Sequence, residues 1–184
     1  METFMPTTSR LFLPAIIDVE ASGFGKGSYP IEIGLIFPDG KTFCTLIKPV
    51  PEWTLWDKEA EKVHQVPRAL LFEKGKDVKL VAHRLNELLN GTTTYTDAWG
   101  QDLAWVAGLF EAAGARMNFR LEPLAGLLSE SQKSMWHETR NRVEKMLGSQ
   151  RHRASSDAKV LQMTYHWSQS SAVCHTAHSA FEAV

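Results

Sequence analysis

Apolar positions along this chain change period several times, and each change marks an element. Residues 11 to 18 form a nearly continuous apolar run, Leu-Phe-Leu-Pro-Ala-Ile-Ile-Asp, which reads as a first strand with Pro14 near its beginning. Residues 31 to 37 and 41 to 48 are two more β-type runs, and Pro38-Asp39-Gly40 between them is turn chemistry that joins them as a hairpin. Beyond the proline-containing break at 49 to 51, the period turns helical. A short helix is expected at 57 to 63 and a further helical turn at 68 to 72, with His64-Gln65-Val66-Pro67 interrupting. Residues 77 to 89 place Val78, Val81, Leu85, Leu88 and Leu89 on one face, and Asn90-Gly91 closes that helix. A short strand at 92 to 96, a helix at 103 to 113, a last strand at 119 to 122 and helices at 124 to 147 and 155 to 167 complete the pattern. A three-strand antiparallel start followed by alternating helices and short strands predicts an α/β domain with a mixed five-stranded sheet flanked by helices.

Composition leaves this picture standing. With 184 residues, 43% apolar and 22% charged, the chain suits one globular domain with a real core. That domain is expected over residues 1 to 168, with 169 to 184 as a small polar tail. No run is long and apolar enough to span a membrane, the N-terminus lacks the pattern of a secretory signal, and Cys44 and Cys174 are too few for a disulfide scaffold. The expected location is therefore cytoplasmic. A net charge of −1 supplies no global basic field and weighs mildly against a binder that works by charge alone, while a metal-bearing acidic pocket can still recruit phosphate locally.

The first chemical signal is Ile16-Ile17-Asp18-Val19-Glu20-Ala21-Ser22-Gly23. Asp18 and Glu20, one residue apart on a strand, point to the same side. Paired carboxylates on a buried strand repel each other and resist desolvation, so they call for a cation, and oxygen ligands suit Mg²⁺ or Mn²⁺. Gly23, Gly25 and Gly27 have the spacing of a phosphate loop, but no Lys-Ser/Thr pair follows and Tyr29-Pro30 leads into a strand. The second signal is an acid where a strand gives way to a helix, at Asp97 or Asp102. Asp102 is favoured because Trp105, three residues on, continues its helical face towards the core. The third is His152 with Asp157. Five residues along a helix turn the direction by about 140°, so the two converge only if His152 stands in the loop and Asp157 in the first turn, with Ser155 as a plausible N-cap.

In that order the three segments resemble the DEDDh 3′→5′ exonucleases of the DnaQ-like superfamily, which includes proofreading exonuclease subunits, RNase T and oligoribonuclease. The resemblance covers about residues 11 to 167, with Ile31-Glu32-Ile33-Gly34 similar to the strand after the first motif and Val63-His64-Gln65-Val66 to the segment after the hairpin. Ala21-Ser22 stands where the family has a Thr-rich run, and the second motif lacks the common Asn-x-x-Phe approach to its Asp. Arg153 excludes the tyrosine subclass, which needs Tyr-x3-Asp, and the histidine subclass fits.

The resemblance implies a ribonuclease H-like fold and two Mg²⁺ or Mn²⁺ ions, roughly 3.5–4 Å apart, held by Asp18, Glu20, Asp102 and Asp157. It implies His152 as general base, a nucleic acid with a free 3′ end as partner, mononucleotides as product and, by analogy with related stand-alone enzymes, a homodimer. Phe24, with Ser22 and Gly23 before it, is the candidate contact for the terminal nucleotide. Arg140, Arg142, Lys145, Arg151 and Arg153 either follow the phosphate backbone or form the solvated face of a helix. His64 reads as a structural loop residue, and Cys174, His175 and His178 as a chance cluster rather than a zinc site. Rival readings are a catalytically silent nuclease-fold module that binds a nucleic-acid end or a protein, and a ribonuclease H-like endonuclease.

Overall fold

The computed structural model describes residues 12–148 and 152–181, with side chains as far as Gln169. Five strands form one sheet: β1 (Ala15–Ala21), β2 (Pro30–Ile36), β3 (Thr42–Leu46), β4 (Thr93–Thr96) and β5 (Arg120–Pro123). Their order is β3-β2-β1-β4-β5. β1 to β3 pair antiparallel, whereas β4 joins β1 and β5 joins β4 in parallel, so the sheet is mixed as the pattern predicts.

Six helices surround the sheet: α1 (Lys58–His64), α2 (Arg68–Lys74), α3 (Val78–Leu89), α4 (Trp99–Ala112), α5 (Glu130–Leu147) and α6 (Ala154–Phe181). α1 and α3 start at Asp57 and Asp77, whose side chains accept from the backbone N–H groups of Glu59 and Lys79.

Period-two alternation along β1 sorts the core into two layers. Ile17, Val19 and Ala21 face one way and pack, with Ile33 and Leu35 of β2, against α3 and α4. Ile16, with its cross-strand partner Ile36, faces the other way and packs against Ala158, Leu161 and Tyr165 of α6. Asp18 and Glu20 continue this second face, opposite Gly34 and Glu32 of β2. α6 must therefore begin where the two acids emerge. Gly34 makes that approach possible, because a Cβ there would sit 2.1 Å from the backbone nitrogen of Ser155.

Several boundaries differ from the pattern. β1 runs to Ala21, so both acids lie within the strand and not at its end, held there by ladder pairing with β2. α4 starts four residues earlier than expected, at Trp99. The stretch 124 to 147 is two elements: a 3-10 turn at Leu124–Leu127, then α5, started by a capping box between Ser129 and Gln132. α6 begins at Ala154, so Ser155 is helical and does not cap it, and the helix continues past Trp167 into the expected tail. The side chains of Cys174, His175 and His178 lie outside the described ones, as does Arg151. No helix among the described residues is long and apolar enough to cross a membrane.

Candidate active site

A cleft of about 260 Å³ opens where β1, α4 and the start of α6 meet. Asp18 and Glu20 from β1, Asp102 from the first turn of α4, and His152 and Asp157 from the start of α6 all line it. Each arrives by local chemistry. Asp102 is 1% exposed; its Oδ2 accepts the Thr96 hydroxyl at the end of β4, and its backbone N–H bonds the Ala98 carbonyl that opens the helix. His152 precedes α6 with a left-handed backbone (φ 61°), and its N–H donates to Asp157 Oδ2 at 2.9 Å. That bond folds the loop back over the helix start, so His152 and Asp157 converge although they cannot share a helical face.

Asp97 is directed elsewhere. Its Oδ2 pairs with Arg140 Nη1 at 2.9 Å, and it does not line the cleft. Ser22 is also outside: its hydroxyl accepts the Tyr29 N–H and closes the loop after β1. Gly23 and Phe24 do line the cleft, with Phe24 70% exposed and tilted against Trp105 at 6.3 Å between ring centroids. Trp105 is held by donating its indole N–H to Ser28 Oγ at 2.9 Å.

The basic residues are largely committed. Arg140 is paired with Asp97 and Glu144, Arg142 lies over the Trp167 ring, and Arg153 grips Glu32. Glu32 is a functional support that sequence reasoning missed. Fully buried on β2, it accepts from Arg153 Nη2 at 2.5 Å and Nε at 3.0 Å, from the Ala154 N–H at 3.1 Å and from the Cys44 thiol at 3.3 Å. Burial alone would raise its pKa, but these donors hold it below the usual carboxylate value. Glu32 thus caps α6 from a distant strand. The visible signal was one acid inside the apolar run Ile31-Glu32-Ile33; its partner lies 121 residues away.

Among the described residues Asp18, Glu20 and Asp102 form no ion pair of this kind, and carboxylates crowd one another. Burial, then the charges of Asp102, Glu20, Asp157 and Asp97, holds Asp18 well above its ordinary pKa. Glu20 is pushed up to about 7 by burial and by Asp157, Glu32 and Asp102, against a smaller pull from Arg153. Asp102 also reaches about 7, through burial opposed by its Thr96 hydrogen bond and reinforced by Asp97. One donor atom each from Glu20, His152 and Asp157 lie within 4.8 Å of one another, a span that a metal ion can bridge. The carboxylate oxygens of the cleft are hard donors of the kind that divalent cations such as Mg²⁺ or Mn²⁺ take.

The sign of the pH effect follows. Glu20 and Asp102 hold protons in the folded, metal-free chain up to about pH 7 but lose them near pH 4 when unfolded. Between those limits the folded state binds more protons, so these two groups make stability fall as pH rises. Across that span each changes stability by on the order of 3–4 kcal/mol. Melting in EDTA from pH 5 to 8 should show a decline that is shallower in Glu20→Gln. Stabilisation by Mn²⁺, which competes with the protons, should be small at pH 5 and large at pH 8. A Mn²⁺ effect independent of pH would contradict a carboxylate site.

No protein-family model matches the chain, and no curated protein sequence does. Solved structures do. Exonuclease I of Methylocaldum szegediense superposes with a TM-score of 0.61 at 14% identity, covering 84% of this chain and 39% of the enzyme. E. coli exonuclease I bound to a dT13 oligonucleotide gives 0.63 at 13% identity, over 82% and 39%. The fold is ribonuclease H-like. This chain spans about two fifths of the length of those enzymes. A zinc-bound form of the E. coli enzyme with single-stranded DNA also matches, at a TM-score of 0.53 and 15% identity over 68% of this chain and 29% of that one.

Proposed function

We propose that the chain is a metal-dependent 3′→5′ exonuclease that removes mononucleotides from single-stranded DNA or RNA, with residues 12–168 as the catalytic unit. The observation that supports this reading best is the convergence of four carboxylates and an imidazole, from three distant segments, on one cleft. Two of the E. coli exonuclease I structures, one with a dT13 oligonucleotide and one with single-stranded DNA, favour single strands as the first substrate to test.

Asp18, Glu20, Asp102 and Asp157 would hold two divalent ions, which supply Lewis-acid stabilisation of the phosphoryl oxygens and a nucleophile at neutral pH. His152, at the lip of the acidic cluster, takes the proton of the attacking water at an imidazole nitrogen. Phe24 supports the terminal base by stacking at the cleft mouth. The bond from the His152 backbone N–H to Asp157 and the Glu32–Arg153 pair hold the loop that carries the imidazole beside the acids.

The test is a 5′-labelled single strand of DNA or RNA incubated with Mg²⁺ or Mn²⁺. A ladder shortening from the 3′ end, with mononucleotides released and a circular strand left intact, is the expected result. Cutting of the circle would assign an endonuclease, and Mn²⁺ binding without any cleavage a silent binding module. His152→Ala should lower turnover on the order of 10²-fold or more, while calorimetric Mn²⁺ affinity stays close to that of the wild type. Parallel loss of metal affinity would make His152 a ligand and not the base.

A further inference from the structure

His64 ends α1 and is 2% exposed, yet its ring lines the same cleft as the acids. Its Nδ1 accepts the Val66 backbone N–H at 3.0 Å, across the left-handed Gln65 that stops the helix. An imidazole nitrogen that accepts carries no proton, so in the neutral ring the hydrogen sits on Nε2. Burial, the main influence, pushes the ring's pKa down and favours that neutral form. Nε2 is thus a fixed donor, buried and with no hydrogen-bond acceptor among the described residues. Buried donors of this kind call for a partner. Trp56 meets the imidazole edge-on, 5.8 Å between centroids, and offers at most a weak N–H···π contact.

The surroundings indicate what would take the hydrogen bond. From the same helix Val63, 47% exposed, lines the cleft, as does Phe24 from the loop after β1. These apolar side chains suit a base or sugar, whereas a phosphate belongs with the carboxylates and their cations. A neutral N–H suits an uncharged acceptor. Resting on the exonuclease reading, we propose that His64 is a substrate-binding residue whose Nε2–H donates to an uncharged acceptor of the terminal nucleoside entering beside Phe24 and Val63. Every base carries a carbonyl or ring nitrogen able to accept, and every sugar an oxygen, so one such donor grips a terminus without selecting its sequence.

Two substitutions separate this role from a structural one. His64→Asn keeps an acceptor where Nδ1 meets Val66 but removes the Nε2 donor; His64→Gln places an amide donor near the Nε2 position. On the 184-residue chain with Mn²⁺, His64→Asn is expected to raise KM for a single-stranded oligonucleotide about five- to tenfold. It should leave kcat within about twofold and Mn²⁺ affinity unchanged, and His64→Gln should recover most of the loss. Calorimetric titration with dTMP, deoxyribose 5-phosphate and inorganic phosphate locates the acceptor. Weakened dTMP binding alone places it on the base; weakening of dTMP and the sugar phosphate together places it on the sugar. Weakened inorganic phosphate binding would overturn the assignment, as would a lowered melting temperature with KM unchanged, which would make Trp56 the true partner. Wild-type hydrolysis, measured in parallel, reports separately on the exonuclease reading; if the wild type neither cleaves nor binds dTMP, both ideas fail.

Discussion

Asp18→Asn is expected to lose metal-dependent hydrolysis by a factor on the order of 10³ or more while folding as well as the wild type. Several kcal/mol of transition-state charge stabilisation depend on ions that Asp18 helps to hold, and each 1.36 kcal/mol is tenfold in rate. The stability half of this prediction separates a functional acid from a structural one. Asp18 is half-buried beside Asp102, Glu20 and Asp157, and its raised pKa means that ionising it costs the metal-free fold free energy. Asn fills nearly the same volume without the charge, so in EDTA above pH 7 the variant should melt at the same temperature or higher. Turnover near the wild-type level would remove Asp18 from the metal site. A lowered melting temperature would mean that the carboxylate stabilises the fold, contrary to its environment. Asp157 makes a poorer test, because its Oδ2 also holds the His152 N–H and its removal would disturb the loop.

The acids and the histidine that line the cleft were legible in the sequence, whereas parts of their supports were misplaced, and the reason differs from residue to residue. Asp18 and Glu20 were readable because strand alternation is local and puts both on one face. The same acids ended the apolar run, so β1 looked finished at Asp18 when pairing with Gly34 and Glu32 carries it to Ala21. α4 looked as though it began at Leu103, since Trp99-Gly100-Gln101 carries no capping side chain; the helix opens instead on the Ala98 carbonyl. The choice between Asp97 and Asp102 turned on Arg140, 43 residues from Asp97. Its guanidinium draws Asp97 towards α5, while the Thr96 hydroxyl holds Asp102 at the cleft. His64 was read as a structural loop residue after the helix; it is instead the last residue of α1, with its Nδ1 accepting the Val66 N–H, and that its other nitrogen has no acceptor among the described residues beside the acids is a fact of packing, invisible in the string.

Arg153→Ala should destabilise the chain by about 3 kcal/mol, because the pair it breaks holds one of the partners entirely out of water. Left alone, the Glu32 carboxylate would keep the Ala154 N–H and the Cys44 thiol, whose own pKa is raised to about 11, but would lose its only direct charge partner among the described residues. It would also stand opposite Glu20 across the strand pair, adding one more like charge to a face already rich in them. The figure lies at the low end for a buried pair because the Arg153 guanidinium keeps some contact with water. For a chain of this size it corresponds to a drop of roughly 6–12 °C in melting temperature. Glu32→Gln combined with Arg153→Ala should recover much of that loss, since the amide oxygen still accepts from Ala154 and the stranded charge is gone. A single variant within about 0.5 kcal/mol of the wild type, or a double variant no more stable than the single one, would show that the pair does not anchor α6. If it does, the acid that sets His152 and Asp157 against Glu20 is Glu32, a residue outside the cleft, and the site's geometry depends on a contact that neither participant's local sequence announces.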